Sequence, residues 1–159
     1  MPTTLVLGYD GSEPGKKALA QAAEIARHLD DGEVFIVSAF EFSIGYVPMG
    51  MTDSPLMMSA EYDQHVDLVR QACAGQIAEA VKLFTDVGVK ASGEAREGKP
   101  VDVLLEAARE KHAAAIVVGS HGEGAVSAAF LGSTALKLLH HSEIPVLVVP
   151  RHDPRHDKK

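Results

Sequence analysis

Five short apolar runs, each closed by a turn residue and separated from the next by a helix-length polar–apolar stretch, constrain the fold most. They are Thr4-Leu5-Val6-Leu7-Gly8, Val34 to Phe40, the weaker Val89 to Glu94, Ala114 to Gly119 and Ile144 to Val149. A run of this kind with little alternation reads as a strand buried on both faces. Between the runs, apolar residues recur at three and four positions, which is one face of a helix. Leu19, Ala22, Ala26 and Leu29 place a helix over Pro14 to His28, with Ser12 as N-cap, Pro14 in the first turn and Asp31-Gly32 as the stop. Tyr62, Val66, Val69, Cys73, Ile77, Val81 and Phe84 make a second stripe, from near Ser59 to Gly88. Gly98-Lys99-Pro100 opens a third helix carrying Val101, Leu104 and Ala108. Gly132-Ser133-Thr134 opens a fourth, with Leu136 and Leu139 facing inward. The order β-α-β-α-β-α-β-α-β predicts an α/β fold: a doubly wound, mostly parallel five-stranded sheet with helices on both faces.

The chain has 159 residues, the size of one domain. Residues 1–150 carry the pattern, and the polar tail 151–159 is expected to be disordered. A single cysteine excludes an intrachain disulfide and suits a reducing compartment, so a cytoplasmic location is expected. Cys73 falls within the apolar stripe and reads as a small hydrophobe. The N-terminus lacks a signal-peptide pattern, and no apolar run approaches a membrane span, so no membrane partner is expected. The net charge of −7 disfavours nucleic acid as a partner. Between Glu41 and Met58 lies a loop containing Met49, Met51, Met57 and Met58. Flexible thioethers suit either a surface that adapts to a ligand or partner, or a loop packed on its own domain.

In such a sheet, ligands bind beyond the C-terminal strand ends, where the winding reverses. Three segments fall there: Gly8-Tyr9-Asp10-Gly11, Ser38-Ala39-Phe40, and Gly119 to Thr134. In the last, Gly119 and Gly122 follow a strand, where a missing Cβ lets a ligand approach the backbone. Gly132, Ser133 and Thr134 open a helix whose free N–H groups and partial positive charge suit a phosphate. Asp10 has no second carboxylate placed for acid–base work and reads equally as an Asx turn. His121, within a glycine turn, reads as a ligand contact rather than a base. No catalytic residue is identified. His152 and His156 have a ligand-like spacing but lie in the polar tail, and no metal site is read there. His140 and His141 close the last helix, where positive charge is favoured.

Taken together, Gly-x2-Gly-x9-Gly-Ser between a buried strand and a helix, then Ile-Pro-Val-Leu-Val-Val-Pro, resembles the universal stress protein family. Asp10-Gly11-Ser12 and the chain length agree, and the resemblance covers residues 3 to 150. It implies a sheet in the order 3-2-1-4-5, a homodimer through the last strand (Val146, Leu147, Val148, Val149), and ATP or AMP binding in the family's nucleotide-binding branch. Mg²⁺ would accompany ATP. The implied contacts are Gly8, Tyr9 and Asp10 at the nucleoside, with Asp10 accepting from a ribose hydroxyl. Ala39 is implied at adenine, Gly119, His121 and Gly122 beneath ribose and phosphates, and Gly132, Ser133 and Thr134 at the phosphates. Many members carry Lys or Arg after the second glycine, whereas this chain has Glu123 and Gly124 and no base before Lys137. Repulsion by Glu123 grows with phosphate charge, so AMP should be disfavoured least. The functional expectation is a nucleotide-binding stress-response regulator, with any hydrolysis slow. A dedicated ATP-dependent enzyme is disfavoured because the chain lacks a Walker-type Gly-Lys-Ser/Thr. A nucleotide-free scaffold or a cyclic-nucleotide binder on the same fold is the alternative.

Overall fold

The computed structural model describes residues 1–41, 55–121 and 131–150. Nine elements follow one another in strict alternation: β1 (Thr3–Gly8), α1 (Glu13–Arg27), β2 (Gly32–Phe40), α2 (Pro55–Asp86), β3 (Lys90–Glu97), α3 (Pro100–Glu110), β4 (Ala115–Gly119), α4 (Ser133–His141) and β5 (Val146–Val149). The five strands form one sheet in the order β3-β2-β1-β4-β5, and every neighbouring pair is parallel.

Alternate residues of each strand serve opposite faces, and two apolar cores result. Leu5 and Leu7 of β1 and Val34 and Ile36 of β2 pack with Ala18, Leu19 and Ala22 of α1 and Ile77, Ala80 and Phe84 of α2. Val6, Phe35, Val37, Ile116 and Val118 pack on the other face with Val103 and Leu104 of α3 and Ala135 and Leu138 of α4. α1 and α2 therefore cover one face, and α3 and α4 the other. The direction of winding reverses between β1 and β4.

The local signals act as their chemistry requires. Ser12 caps α1, its Oγ accepting from the Gly15 N–H at 3.1 Å. Gly88 takes a φ of +78° just beyond α2, and the Val89 N–H reaches back to the Phe84 carbonyl at 2.9 Å, closing the helix. β3 stands at the sheet edge as expected but extends to Glu97, beyond the predicted Glu94.

Three expectations are corrected. α2 begins at Pro55 rather than near Ser59, so Met57 and Met58 lie in a helix and not in a loop; Pro at the first helical position supplies the required φ at no hydrogen-bond cost. Met49 and Met51 lie outside the described residues. α1 ends at Arg27 with His28 as its C-cap, in agreement with the expected span of Pro14 to His28, so Asp31-Gly32 is not itself the stop. Asp31 instead turns the chain with φ +49°, and Gly32 already belongs to β2. In α4 the inward residues are Ala135 and Leu138, while Leu136 and Leu139 are 46% and 50% exposed. Across two turns, leucines at 136, 138 and 139 admit two helical phases, and packing on Val118 and Val103 selects the second. Cys73 is half-buried on α2.

Candidate functional site

Since β1 pairs with β2 on one side and β4 on the other, the ends of these three strands meet where the winding reverses. A cavity of about 350 Å³ opens there. The exit of β1 contributes Gly8, Tyr9 and Asp10, and β2 contributes Val37 and Ala39. Val118, Gly119 and His121 come from β4 and its exit, and Gly132, Ser133, Thr134 and Ala135 from the start of α4. Gly15 of α1 and Pro100 and Leu104 of α3 complete the wall. Nine of the ten residues singled out from sequence thus share one cavity, and the tenth, Gly122, lies outside the described residues. Pattern reading missed Gly15, Val37, Pro100, Leu104, Val118 and Ala135. Val37, Val118 and Ala135 adjoin the strand ends and helix start that the sequence marks, and Pro100 opens a helix, whereas Gly15 and Leu104 carry no local signal and are brought in by packing.

The backbone is held tightly at each corner. The Tyr9 N–H donates to the Val37 carbonyl at 3.0 Å, the Ser120 N–H to Val149 at 2.9 Å, and the Gly132 N–H to Ser120 at 2.6 Å. The last bond pins the start of α4 to the exit of β4. Gly132 is the N-cap of α4 and has no side chain to bond the first-turn N–H groups. Ser133, Thr134 and Ala135 therefore present N–H groups in the wall that no described side chain caps, where an anion is favoured.

Asp10 makes the Asx turn. Its Oδ1 accepts from the Ser12 N–H at 2.9 Å and from the Ser12 hydroxyl. Tyr9 turns its ring into the α1–α2 core. Burial pushes its hydroxyl pKa upward, with nearby Lys16 opposing the shift. Gly8 and Gly119 have packing reasons of their own. A Cβ on Gly8 would sit 3.0 Å from Val118 Cγ1, and one on Gly119 would sit 2.9 Å from the Pro14 carbonyl oxygen. The expected role of Gly119 in clearing room for a ligand thus coincides with a steric demand from the first turn of α1. Ser120 and His121 are both buried. Ser120 Oγ lies 2.7 Å from His121 Nδ1, and His121 Nε2 is buried without a hydrogen-bond partner among the described residues. Among the described wall residues, Asp10 alone carries a formal charge, His121 aside. Among the described residues no cluster of three or more His, Cys, Asp or Glu is placed to hold a metal ion, and no helix is long and apolar enough to cross a membrane.

A doubly wound parallel sheet of this order, with a crevice at its reversal, places the chain in the open-sheet α/β class. The model of the universal stress protein family matches residues 1–150. A universal stress protein of Thermus aquaticus is 31% identical over 147 residues, covering 92% of this chain and 97% of that one. Among solved structures, the hypothetical protein MJ0577 superposes with a TM-score of 0.78 at 21% identity, over 96% of this chain and 99% of that chain. A universal stress protein in complex with cAMP gives a TM-score of 0.63 at 24% identity, over 95% and 98%. A family protein of Arabidopsis thaliana with AMP bound gives 0.61 at 16% identity, over 99% and 98%. These three share the fold. The chain belongs to the universal stress protein family.

Proposed function

We propose that this stress protein binds an adenine nucleotide, ATP or AMP, in the cavity at the sheet reversal, and regulates through a homodimer joined along β5. The observation that carries the reading is the meeting of Gly8, Asp10, Ala39, Gly119, His121 and the Gly132-Ser133-Thr134 helix start around one cavity. Adenine and ribose suit a wall that includes Val37, Ala39, Pro100 and Leu104, and phosphate suits the uncapped start of α4. The AMP complex and the cAMP complex of fold neighbours support the same ligand class. Residues 1–150 act as one domain, and the lone cysteine suits a cytoplasmic setting. ATP would bring its own Mg²⁺, because a carboxylate such as Asp10 is a thin magnesium site without phosphate oxygens.

The first experiment is mass spectrometry of small molecules released by heat from the purified protein, followed by calorimetry with AMP, ATP and cAMP. AMP or ATP is expected. Preferential binding of cAMP would move the protein to the cyclic-nucleotide reading. In a second arm, Gly132→Val places a branched side chain where phosphate must approach α4. A folded variant with unchanged AMP affinity would falsify the phosphate assignment.

A further inference from the structure

Gly15 stands in the cavity wall, in the first turn of α1. Nothing in its backbone calls for glycine. Its φ lies outside the left-handed region, and glycine within a helix is destabilising relative to alanine. The reason lies in what a side chain would meet. A Cβ on Gly15 would fall 2.7 Å from Asp10 Oδ1, closer than real Cβ atoms approach, 3.3 Å from Ser12 Oγ and 3.5 Å from Tyr9 Cδ2. The corresponding neighbours of Gly8 are the side chains of Val118 and Leu104, and those of Gly119 belong to Pro14. Of these three wall glycines, Gly15 alone faces a charged group. The space is filled by a chain of hydrogen bonds. Asp10 Oδ1 accepts from the Ser12 N–H at 2.9 Å and from the Ser12 hydroxyl. That hydroxyl accepts in turn from the Gly15 N–H at 3.1 Å. A carboxylate only accepts, so the single proton of the hydroxyl points to Asp10. Asp10 is exposed, yet its carboxylate is held before any ligand arrives, with Oδ2 the oxygen that no described residue bonds.

We infer that Gly15 is a positioning residue for ligand selection. Its missing Cβ lets the Asp10 carboxylate seat on Ser12 at the cavity wall, and this seat makes the site prefer a sugar with free hydroxyls over one without. The inference rests on the nucleotide reading above, in which Asp10 meets the ribose, and names the residue that sets the place of that carboxylate. A hydroxyl can donate to Oδ2, whereas the same sugar carbon without its hydroxyl offers the carboxylate nothing. Hydrogen bonds to an ionised group are the stronger kind, and an acceptor already in place forms them without further ordering. A methyl group at position 15 needs the space that Oδ1 occupies. Oδ1 is the end of a side chain and can yield, so the fold survives while the placement is lost.

The test compares AMP with dideoxyadenosine monophosphate, which lacks both free ribose hydroxyls, by calorimetry on the full chain. The parent should bind AMP about tenfold or more tighter than the dideoxy analogue. Gly15→Ala should shrink that gap to about threefold or less by weakening AMP, with the analogue held within about twofold of its parent affinity. In an Asp10→Ala background, Gly15→Ala should change neither affinity, because the group it acts through is gone. Without ligand, the NMR signal of the Ser12 amide proton should move upfield in Gly15→Ala, and the proton should exchange faster, as its bond to Asp10 is lost. A gap that stays as wide as in the parent would overturn the assignment, as would an unmoved Ser12 amide or a further loss in the Asp10→Ala background. An equal loss of both ligands would also overturn it, since the methyl group would then be blocking the cavity rather than moving Asp10. A parent that binds both ligands equally removes Asp10 from ribose recognition, and this role with it, while the nucleotide reading stands. A parent that binds neither defeats the nucleotide reading itself.

Discussion

Gly119 carries no side chain because Pro14 leaves no room for one. A Cβ there would lie 2.9 Å from the Pro14 carbonyl oxygen and 3.0 Å from its carbon, both backbone atoms that cannot swing aside. Gly119→Ala should therefore destabilise the protein by about 1–3 kcal/mol, the usual range for overpacking. Urea unfolding measures this. A variant as stable as the parent but unable to bind AMP would show that the glycine serves the ligand and not the packing. Residues such as Asp10, His121 and Gly132 could be read from sequence because each sits within a few positions of a strand end or helix start. Gly15 and Leu104 could not. Gly15 reaches the cavity because the turn Asp10–Ser12 folds back on it, with a Cβ at Gly15 falling 2.7 Å from Asp10 Oδ1. Such a contact depends on tertiary placement, which no local pattern reports.

Among the elements, α4 shows where periodicity is ambiguous. The helix has nine residues, too few for a 3.6-residue period to separate Leu136 and Leu139 from Ala135 and Leu138. The structure buries Leu138 completely. Leu138→Ala should cost about 2–5 kcal/mol, and Leu136→Ala much less in the isolated protomer. Comparable losses at the two positions in a monomeric preparation would contradict this phase. In α2 the apolar spacing marks the right stripe but a late start, since Met57 and Met58 fit a loop as well as a helix by composition. The sequence of β3 predicts a weak strand toward an edge, and its side chains explain how it stays in place. On one face it packs Ala91 and Ala95 against the α1–α2 core. On the other, Arg96 bridges to Glu94 of its own strand and to Glu106 and Glu110 of α3. The Arg96 guanidinium holds the Glu110 carboxyl below its ordinary value of 4.5. A depressed acid pKa contributes stability above the unfolded value, and this contribution is lost as pH falls through the folded value. Thermal unfolding should therefore lose a component below about pH 4.5 that Glu110→Gln lacks. Parallel pH profiles of the melting temperature for the two proteins would remove Glu110 from the account.

At the scale of the molecule, strict alternation of strand and helix made the doubly wound parallel sheet legible, and the family resemblance supplied the strand order. The remaining question is what meets the open side of β5. That strand pairs with β4 from Ile116↔Val146 to Gly119↔Val149 and, among the described residues, has no partner strand on its other side. A bare edge that is also apolar is a ready template for another strand. Leu147 is 36% exposed on it, and nearby α4 exposes Leu136 and Leu139 as well. Prolines stand at both ends of the strand, at 145 and 150, but no lysine lies between Val146 and Val149 to blunt the edge. Pairing two copies about a twofold axis satisfies both edges at once and leaves no open end for further growth. We therefore expect a dimer at micromolar concentration by sedimentation. Leu147→Lys alters an exposed side chain and should leave the protomer folded, yet it sets two like charges near the axis. It should shift the equilibrium toward monomer by about tenfold or more, and the shift should shrink as salt screens the repulsion. Leu136→Ala and Leu139→Ala together should weaken the dimer further if α4 flanks the contact. A parent that sediments as a monomer would remove the β5 interface, and a Leu147→Lys protein that dimerises like the parent would place the contact on some other surface.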